Sequence, residues 1–255
     1  MARIVAAEVL DHLAPGDPAA WRSRRDLVRV HRVMGTRGIL RRGWLQLVSP
    51  QRASRPLRIL ELGAGDGSLL LGVARSLAPQ WSRVQLSLLD RQDIVTPATL
   101  AGFAELGWEA TVHVSDALAW ARRDQLPAPD PASPRWDLIT TTLFLHHFEQ
   151  PDLDLLLATA ASQCDRFFAC EPRRSPLAMA GSRLVGVLGA NAVTRNDAVL
   201  SVHAGFRRDE ISAHWPPAGD DWHVREAAAG MFSHCFCARR GGQVALGAGG
   251  IGHPG

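Results

Sequence analysis

At 255 residues, with 46% hydrophobic content, the chain is sized for one α/β domain with embellishments and a full core. A net charge of only +3 does not by itself imply a nucleic-acid partner, and no run of about 20 apolar residues is present to span a membrane. Four cysteines fall short of a disulfide scaffold, and the N-terminus becomes charged too early for a signal peptide; a reduced, cytoplasmic protein is expected. All 28 basic side chains are arginine and tyrosine is missing, which points to a compositional bias rather than a function.

Residues 1 to 50 precede the first core strand. Asp17-Pro18 opens a helical stretch in which Leu27, Val30 and Met34 share a face, ringed by Arg22, Arg24, Arg25, Arg29 and Arg32. This reads as an amphipathic helix with a solvated basic face, or as part of a helical lid continued through Ile39 to Leu47.

Residues 58 to 67, Arg-Ile-Leu-Glu-Leu-Gly-Ala-Gly-Asp-Gly, organise the rest. Ile59, Leu60 and Leu62 form a buried parallel strand that stops at Gly63, Gly65 and Gly67, and Leu69, Leu70, Val73, Ala74 and Leu77 then fall at helical spacing. Strand, glycine turn and helix bring a backbone close to a ligand beside the unpaired N–H groups of a helix start. Glu61 and Asp66 select which ligand. Carboxylates would repel a pyrophosphate, whereas a zwitterionic sulfonium compound can use them as acceptors. The third glycine also comes early, giving G-x-G-x-G rather than the dinucleotide G-x-G-x-x-G. This stretch closely resembles the first motif of class I S-adenosylmethionine (SAM) dependent methyltransferases.

Further elements fit that resemblance in order. Val84, Leu86, Leu88 and Leu89 make a second buried strand ending at Asp90, where an acidic tip can accept both ribose hydroxyls of a nucleoside. Thr96-Pro97 is an N-cap signal for a helix carrying Leu100, Phe103 and Leu106. A short third strand through Val112 and Val114 leads to Ser115-Asp116-Ala117; Asp116 matches the family position that bonds the adenine amino group, and also suits the N-cap of the next helix. Residues 126 to 135 are proline-rich and read as an exposed connection.

The fourth strand, from Trp136 to Thr141, runs into Thr142-Leu143-Phe144-Leu145-His146-His147-Phe148. Leu-His-His-Phe at this site closely resembles the small-molecule, quinone and phenol branch of the same enzymes. His146 or His147 could take a proton from an acceptor hydroxyl; the alternatives are a packing role or a wall of the acceptor pocket. A metal is not expected, because adjacent histidines rarely both face one ion. The resemblance further implies cofactor contacts from Glu61, Gly63, Ala64, Gly65, Asp90, Arg91, Asp116, Ala117, Thr141 and Leu143.

Phe167 to Arg174 holds the fifth strand and its exit, with Glu171 at the tip either lining the acceptor site or, the preferred reading, pairing with Arg173 or Arg174. Residues 175 to 206 break the strand–helix alternation. Leu184 to Leu188 suggest one helix and Asn196 to Leu200 another. By analogy this insertion carries acceptor specificity, with Arg195 and His203 as possible polar contacts. A short helix is expected over Asp209 to Trp215, then a hairpin of Trp222 to Glu226 and Ser233 to Arg239. Cys235 and Cys237 with His234 lack the second cysteine pair of a zinc site. The glycine-rich tail, 241 to 255, reads as disordered.

The expected architecture is therefore a doubly wound, Rossmann-like, seven-stranded α/β sheet, mostly parallel with an antiparallel last strand. A helical cap covers 1–50, and the methyltransferase domain runs over 51–240. The implied activity is methyl transfer from SAM to a small molecule, at oxygen or activated carbon of a phenol, quinone or polyketide-like compound. A catalytically silent SAM-binding partner and an NAD(P)-dependent oxidoreductase are the alternatives. No nucleic-acid partner is expected, since Thr-Thr-Thr-Leu stands where amino-methylating enzymes carry Asn- or Asp-Pro-Pro-aromatic. Oligomeric state is open between monomer and homodimer.

Overall fold

A computed structural model describes residues 1–48, 55–122, 135–216 and 222–241. The tail beyond residue 241 and most of the proline-rich connection lie outside the described residues. Seven strands form one sheet in the order β3-β2-β1-β4-β5-β7-β6. They are β1 (Leu57–Leu62), β2 (Val84–Asp90), β3 (Trp108–Val114), β4 (Leu138–Thr142), β5 (Arg166–Pro172), β6 (Trp222–Ala229) and β7 (Ser233–Arg240). The first five pair in parallel, β7 runs antiparallel to β5, and β6 closes the edge as its hairpin partner. The doubly wound sheet with an antiparallel strand at its end is the architecture expected from the sequence.

Register sets where the site falls. Leu62 lies opposite both Leu89 and Thr141, and Thr142 lies opposite Cys170. The carboxyl ends of β1, β2, β4 and β5 therefore finish at one level, the edge at which open α/β sheets bind ligands. All six residues of β1 are buried, as a central parallel strand covered on both faces requires.

Helices cover both faces. Before the sheet come α1 (Val9–His12), α2 (Pro18–Met34) and α3 (Thr36–Leu47); α4 (Ser68–Leu77), α5 (Pro97–Ala104), α6 (Ala117–Ala121) and α7 (Asp152–Gln163) follow strands β1 to β4 in turn. On one face Ile39, Leu40 and Trp44 of α3 join Leu70, Val73, Leu77 and Phe103. Trp44 is fully buried, stacks on Trp81 with ring centres 6.0 Å apart and donates its Nε1–H to Thr140 at 3.3 Å. On the other face Trp120, Leu153, Leu156 and Leu157 pack on Leu60, Ile139 and Phe167. Within the 1–50 segment, then, α3 is part of the sheet's core, whereas α1 and α2 lie against α9 (Ala192–Ala204).

Gly43 shows how closely α3 approaches the sheet: an added Cβ would lie 2.1 Å from the Phe168 ring. Phe168 is 1% exposed, so its ring has no room to withdraw. Gly43→Ala sets a helix-propensity gain of about 0.5–1 kcal/mol against an overpacking cost of about 1–3 kcal/mol. A net loss of stability is expected in chemical denaturation, and a stabilised variant would contradict this packing.

Three regions differ from the sequence reading. The best-buried positions of α2 are Ala20, Ser23 and Asp26, not the Leu27–Val30–Met34 stripe. Asp26 accepts the Asn191 backbone N–H at 2.8 Å, so α2 is seated on the start of α9 by a polar contact that hydrophobic periodicity does not register. In the insertion, Ser175-Pro176 starts α8 (Pro176–Arg183), with the Ser175 side chain accepting from Ala178. Residues Val185–Leu188 form only a 3₁₀ turn before Gly189, and Asn191 caps α9 earlier than expected. The segment expected as a helix over Asp209 to Trp215 contains only a 3₁₀ turn, Ser212–His214.

Candidate functional site

The turn after β1 is built from its backbone. Gly63, Gly65 and Gly67 have φ of 74°, 56° and 72°, a left-handed region open to glycine at little cost. Gly63 and Ala64 both donate to the Leu89 carbonyl, at 2.9 and 3.0 Å. The first two glycines differ in role. A Cβ on Gly63 would strike the Phe144 ring at 2.2 Å, whereas one on Gly65 would meet nothing within 4 Å. Gly63 thus admits the β4 exit loop, and Gly65 faces open space where a ligand can approach.

Glu61 sits at the base of this cradle, 1% exposed. Burial pushes its carboxyl up to about 8; the hydroxyls of Thr142 and Thr140 pull it down and the charge of Glu171 pushes it further up. Its Oε2 has no hydrogen-bond partner among the described residues, so a buried acceptor is left for a ligand. Because the folded value lies above the ordinary 4.5, Glu61 favours the folded state at low pH, and that contribution is lost as pH rises from 4.5 to about 8. Thermal unfolding without cofactor should show stability falling over this window. Glu61→Gln should flatten that fall, and an unchanged pH profile would contradict the assignment.

The other expected cofactor residues line the same edge. Asp90 accepts from Gly65 N–H through one oxygen and Gln92 N–H through the other, each at 2.8 Å; it ties β2's tip to the glycine turn. Asp116 caps α6, one oxygen accepting from Leu118 and Ala119 at 2.7 and 3.2 Å, and Ala117 behind it is buried. Thr141 is buried with its hydroxyl unpartnered among the described residues. Leu143 has φ of 52°, strained for a branched residue. Arg91 is turned elsewhere: its guanidinium donates to the Asp11 carbonyl at 2.8 Å.

The β4 exit is organised by Glu171. This carboxylate is fully buried and accepts from the N–H groups of Phe144, Leu145 and His146 at 3.1, 3.0 and 3.4 Å. It also holds His146 Nδ1 at 2.9 Å. The expected pairing of Glu171 with a nearby arginine is corrected, since Arg174 pairs with Glu210 instead. A strand-tip carboxylate thus fixes the 3₁₀ turn Leu145–His147.

The N-terminal segment crosses over these histidines. His146 Nε2 meets Glu8 Oε1 at 3.2 Å, and His147 Nδ1 meets Asp11 Oδ2 at 2.8 Å. Glu8 is also bonded by the Ser201 hydroxyl. A helix of four residues cannot hold itself; Asp197 on α9 caps α1 from outside, accepting from Val9 and Leu10 at 3.0 and 2.9 Å. Burial alone would strip His146 of its proton, but the bonds and charges of Glu171 and Glu8 outweigh it and raise the ring to about 9. Both nitrogens of His146 are occupied and its side chain is 3% exposed, whereas His147 is 23% exposed with its Nδ1 held by Asp11. Glu8, His146 and His147 each bring a ligand-type atom to within 4.8 Å of one another.

Of the two insertion residues expected near the acceptor, Arg195 lies along Gly186, and His203 meets the N-terminal strap through its carbonyl, which accepts from Ile4 N–H. His234 stands opposite Glu171 in the β5–β7 register, and its Nε2 is held by Glu226 at 2.8 Å. Glu8, Asp11 and Asp197 carried no motif; Glu171 was placed at a strand tip but given the wrong partner.

Strand order and the antiparallel β7 together match the Rossmann-like methyltransferase fold. Among solved structures the chain is similar to an O-methyltransferase family protein from Burkholderia thailandensis, with a TM-score of 0.57 and 14% identity. It is also similar to TnmH, with a TM-score of 0.53 and 18% identity. Each match covers 91% of this chain but 61% of the other, so the chain spans less than two thirds of these neighbours, and at such identities the likeness is one of fold. No protein-family model matches the sequence, and no curated protein matches it. No helix among the described residues is long and apolar enough to cross a membrane.

Proposed function

We propose that the chain is a SAM-dependent methyltransferase acting on a small molecule, at the oxygen or an activated carbon of a phenol, quinone or polyketide-like acceptor. The observation that carries this reading is the buried Glu61 with an unpartnered oxygen beneath a glycine cradle. A buried acidic acceptor suits a cationic, amine-bearing ligand and penalises a diphosphate. The residues present fit SAM. Gly63, Ala64 and Gly65 supply close backbone, Glu61 faces the positive methionine end, Asp90 takes the ribose hydroxyls and Asp116 the adenine edge. Ala117, Thr141 and Leu143 line the same strand ends, whereas Arg91 holds the N-terminal segment through the Asp11 carbonyl. The fold likeness to an O-methyltransferase family protein supports the same class.

SAM, when bound, supplies a methyl group already activated on sulfonium. The chain's work is to hold the acceptor in line with it and exclude water. An acceptor oxygen or carbon gives up a proton as it is methylated. The His146–His147 pair, faced by Glu8, Asp11 and Glu171, is the place on the acceptor side where positive charge can be held. The strap over these residues makes α1 the roof of the acceptor pocket.

Asp90→Ala should weaken SAM binding by about 1.5–3 kcal/mol, the worth of a hydrogen bond to a charged group. It also frees Gly65 and Gln92 from their anchor. Calorimetric titration of SAM into the variant reads this directly, and unaltered affinity would remove Asp90 from the cofactor site. Transfer of isotopically labelled methyl from SAM to a phenol and quinone panel tests the activity itself.

A further inference from the structure

We propose that Glu8, His146 and His147 bind one divalent transition-metal ion of the zinc class, whose open coordination position receives the acceptor's oxygen. This deepens the methyltransferase reading and rests on it for the acceptor's role, though not for the metal.

The ligand set is two imidazoles and one carboxylate, the composition of three-ligand catalytic zinc sites that leave a position free. It suits Zn²⁺, Fe²⁺ or Co²⁺ better than the oxygen-seeking Mg²⁺ or Ca²⁺. Bonds of about 2.0–2.1 Å at tetrahedral angles put neighbouring ligand atoms about 3.3 Å apart. His146 Nε2 and Glu8 Oε1 already stand at 3.2 Å, and the third ligand atom lies within 4.8 Å of both.

The surroundings are those of a metal site rather than of a lone ion pair. A ligating histidine usually gives its second nitrogen to a carboxylate, which fixes the ring and its tautomer. Both rings meet that condition through the same atom: His146 Nδ1 on Glu171 at 2.9 Å and His147 Nδ1 on Asp11 at 2.8 Å. With Nδ1 so held, Nε2 of His147 is left for a cation, while Nε2 of His146 faces Glu8 Oε1, where an ion would take the place of the proton between them. Glu8 is oriented in turn by the Ser201 hydroxyl. Three carboxylates, Glu8, Asp11 and Glu171, stand against the two imidazoles. Since Glu8 comes from the N-terminal segment and the histidines from the β4 exit, the ion would also fasten the strap over the pocket.

The chemistry follows. A hydroxyl oxygen in the open position is made acidic by the cation, and its proton leaves to water. The oxygen's lone pair then forms the new bond to the methyl carbon as that carbon's bond to sulfur breaks, with the electron pair staying on sulfur.

The test uses the full chain, stripped with a chelator and titrated with Zn²⁺ by calorimetry. One ion per chain is expected, with affinity falling about 100-fold or more in Glu8→Gln and in His147→Ala and unchanged in His214→Asn, which lies outside the cluster. Circular dichroism establishes that each variant is folded. Independently, the Co²⁺-loaded unmodified chain should show the intense visible bands of a four-coordinate ion with nitrogen ligands. No Zn²⁺ uptake, uptake indifferent to Glu8 and His147 in folded variants, or the weak spectrum of a hexa-aqua Co²⁺ ion would each overturn the proposal. SAM titrated into the same stripped chain separates the two readings. Heat from SAM without metal uptake sinks the metal site alone, and metal uptake without heat from SAM sinks the methyltransferase.

Discussion

His147→Ala should lower turnover about 10²–10⁴-fold, the range for losing a group that helps the acceptor shed its proton, while SAM affinity is unchanged. The two effects separate because His147 and the glycine cradle belong to different parts of the site. His147 lies at the end of the 3₁₀ turn beyond β4, with its ring centre 6.3 Å from that of Phe144, and it is Phe144 that closes against Gly63. One aromatic ring thus stands between the histidine and the cofactor turn. His147 is also the accessible member of the pair, its side chain 23% exposed against 3% for His146. Steady-state kinetics on an active acceptor, together with a SAM titration, reads both quantities. Turnover equal to that of the unmodified chain would remove His147 from the mechanism.

Glu171→Gln should cost about 3–5 kcal/mol of stability, as when one partner of a buried ion pair is removed. Glu171 has no exposure, so water cannot replace its charge. Its two oxygens accept three backbone N–H groups and His146 Nδ1. The amide of glutamine would present N–H groups where only acceptors fit, and leave the His146 ring with Glu8 as its one carboxylate. For a chain of this size the loss corresponds to roughly 6–20 °C in Tm, at roughly 2–4 °C per kcal/mol. Thermal unfolding measures it, and a shift of less than about 2 °C, under 1 kcal/mol on the same scale, would show that the turn holds without Glu171.

The glycine turn and the strand tips beside it were legible in the sequence because local chemistry dictates them. A buried strand, three glycines that must take positive φ, and an acidic residue at the next strand's tip are each encoded within a few neighbouring residues. Gly63 and Asp90 need no distant partner to be recognised. The cluster at the β4 exit is assembled from four places in the chain. Glu8 and Asp11 sit in a four-residue helix with no periodicity to read, and Asp197, about 190 residues away, holds that helix in place. Glu171 misled for a related reason: Arg173 and Arg174 are next to it in sequence, but its true partners are the N–H groups of another strand's exit. In the insertion, apolar spacing at Leu184 to Leu188 suggested a helix, although Ser175-Pro176 carried the stronger start signal.

The account turns on whether the acidic glycine cradle accepts a sulfonium compound. Calorimetric titration of the purified chain with SAM, and separately with NADH, tests this most directly. Saturable one-to-one binding of SAM with no heat from NADH is the predicted result. Binding of NADH with none of SAM would contradict it.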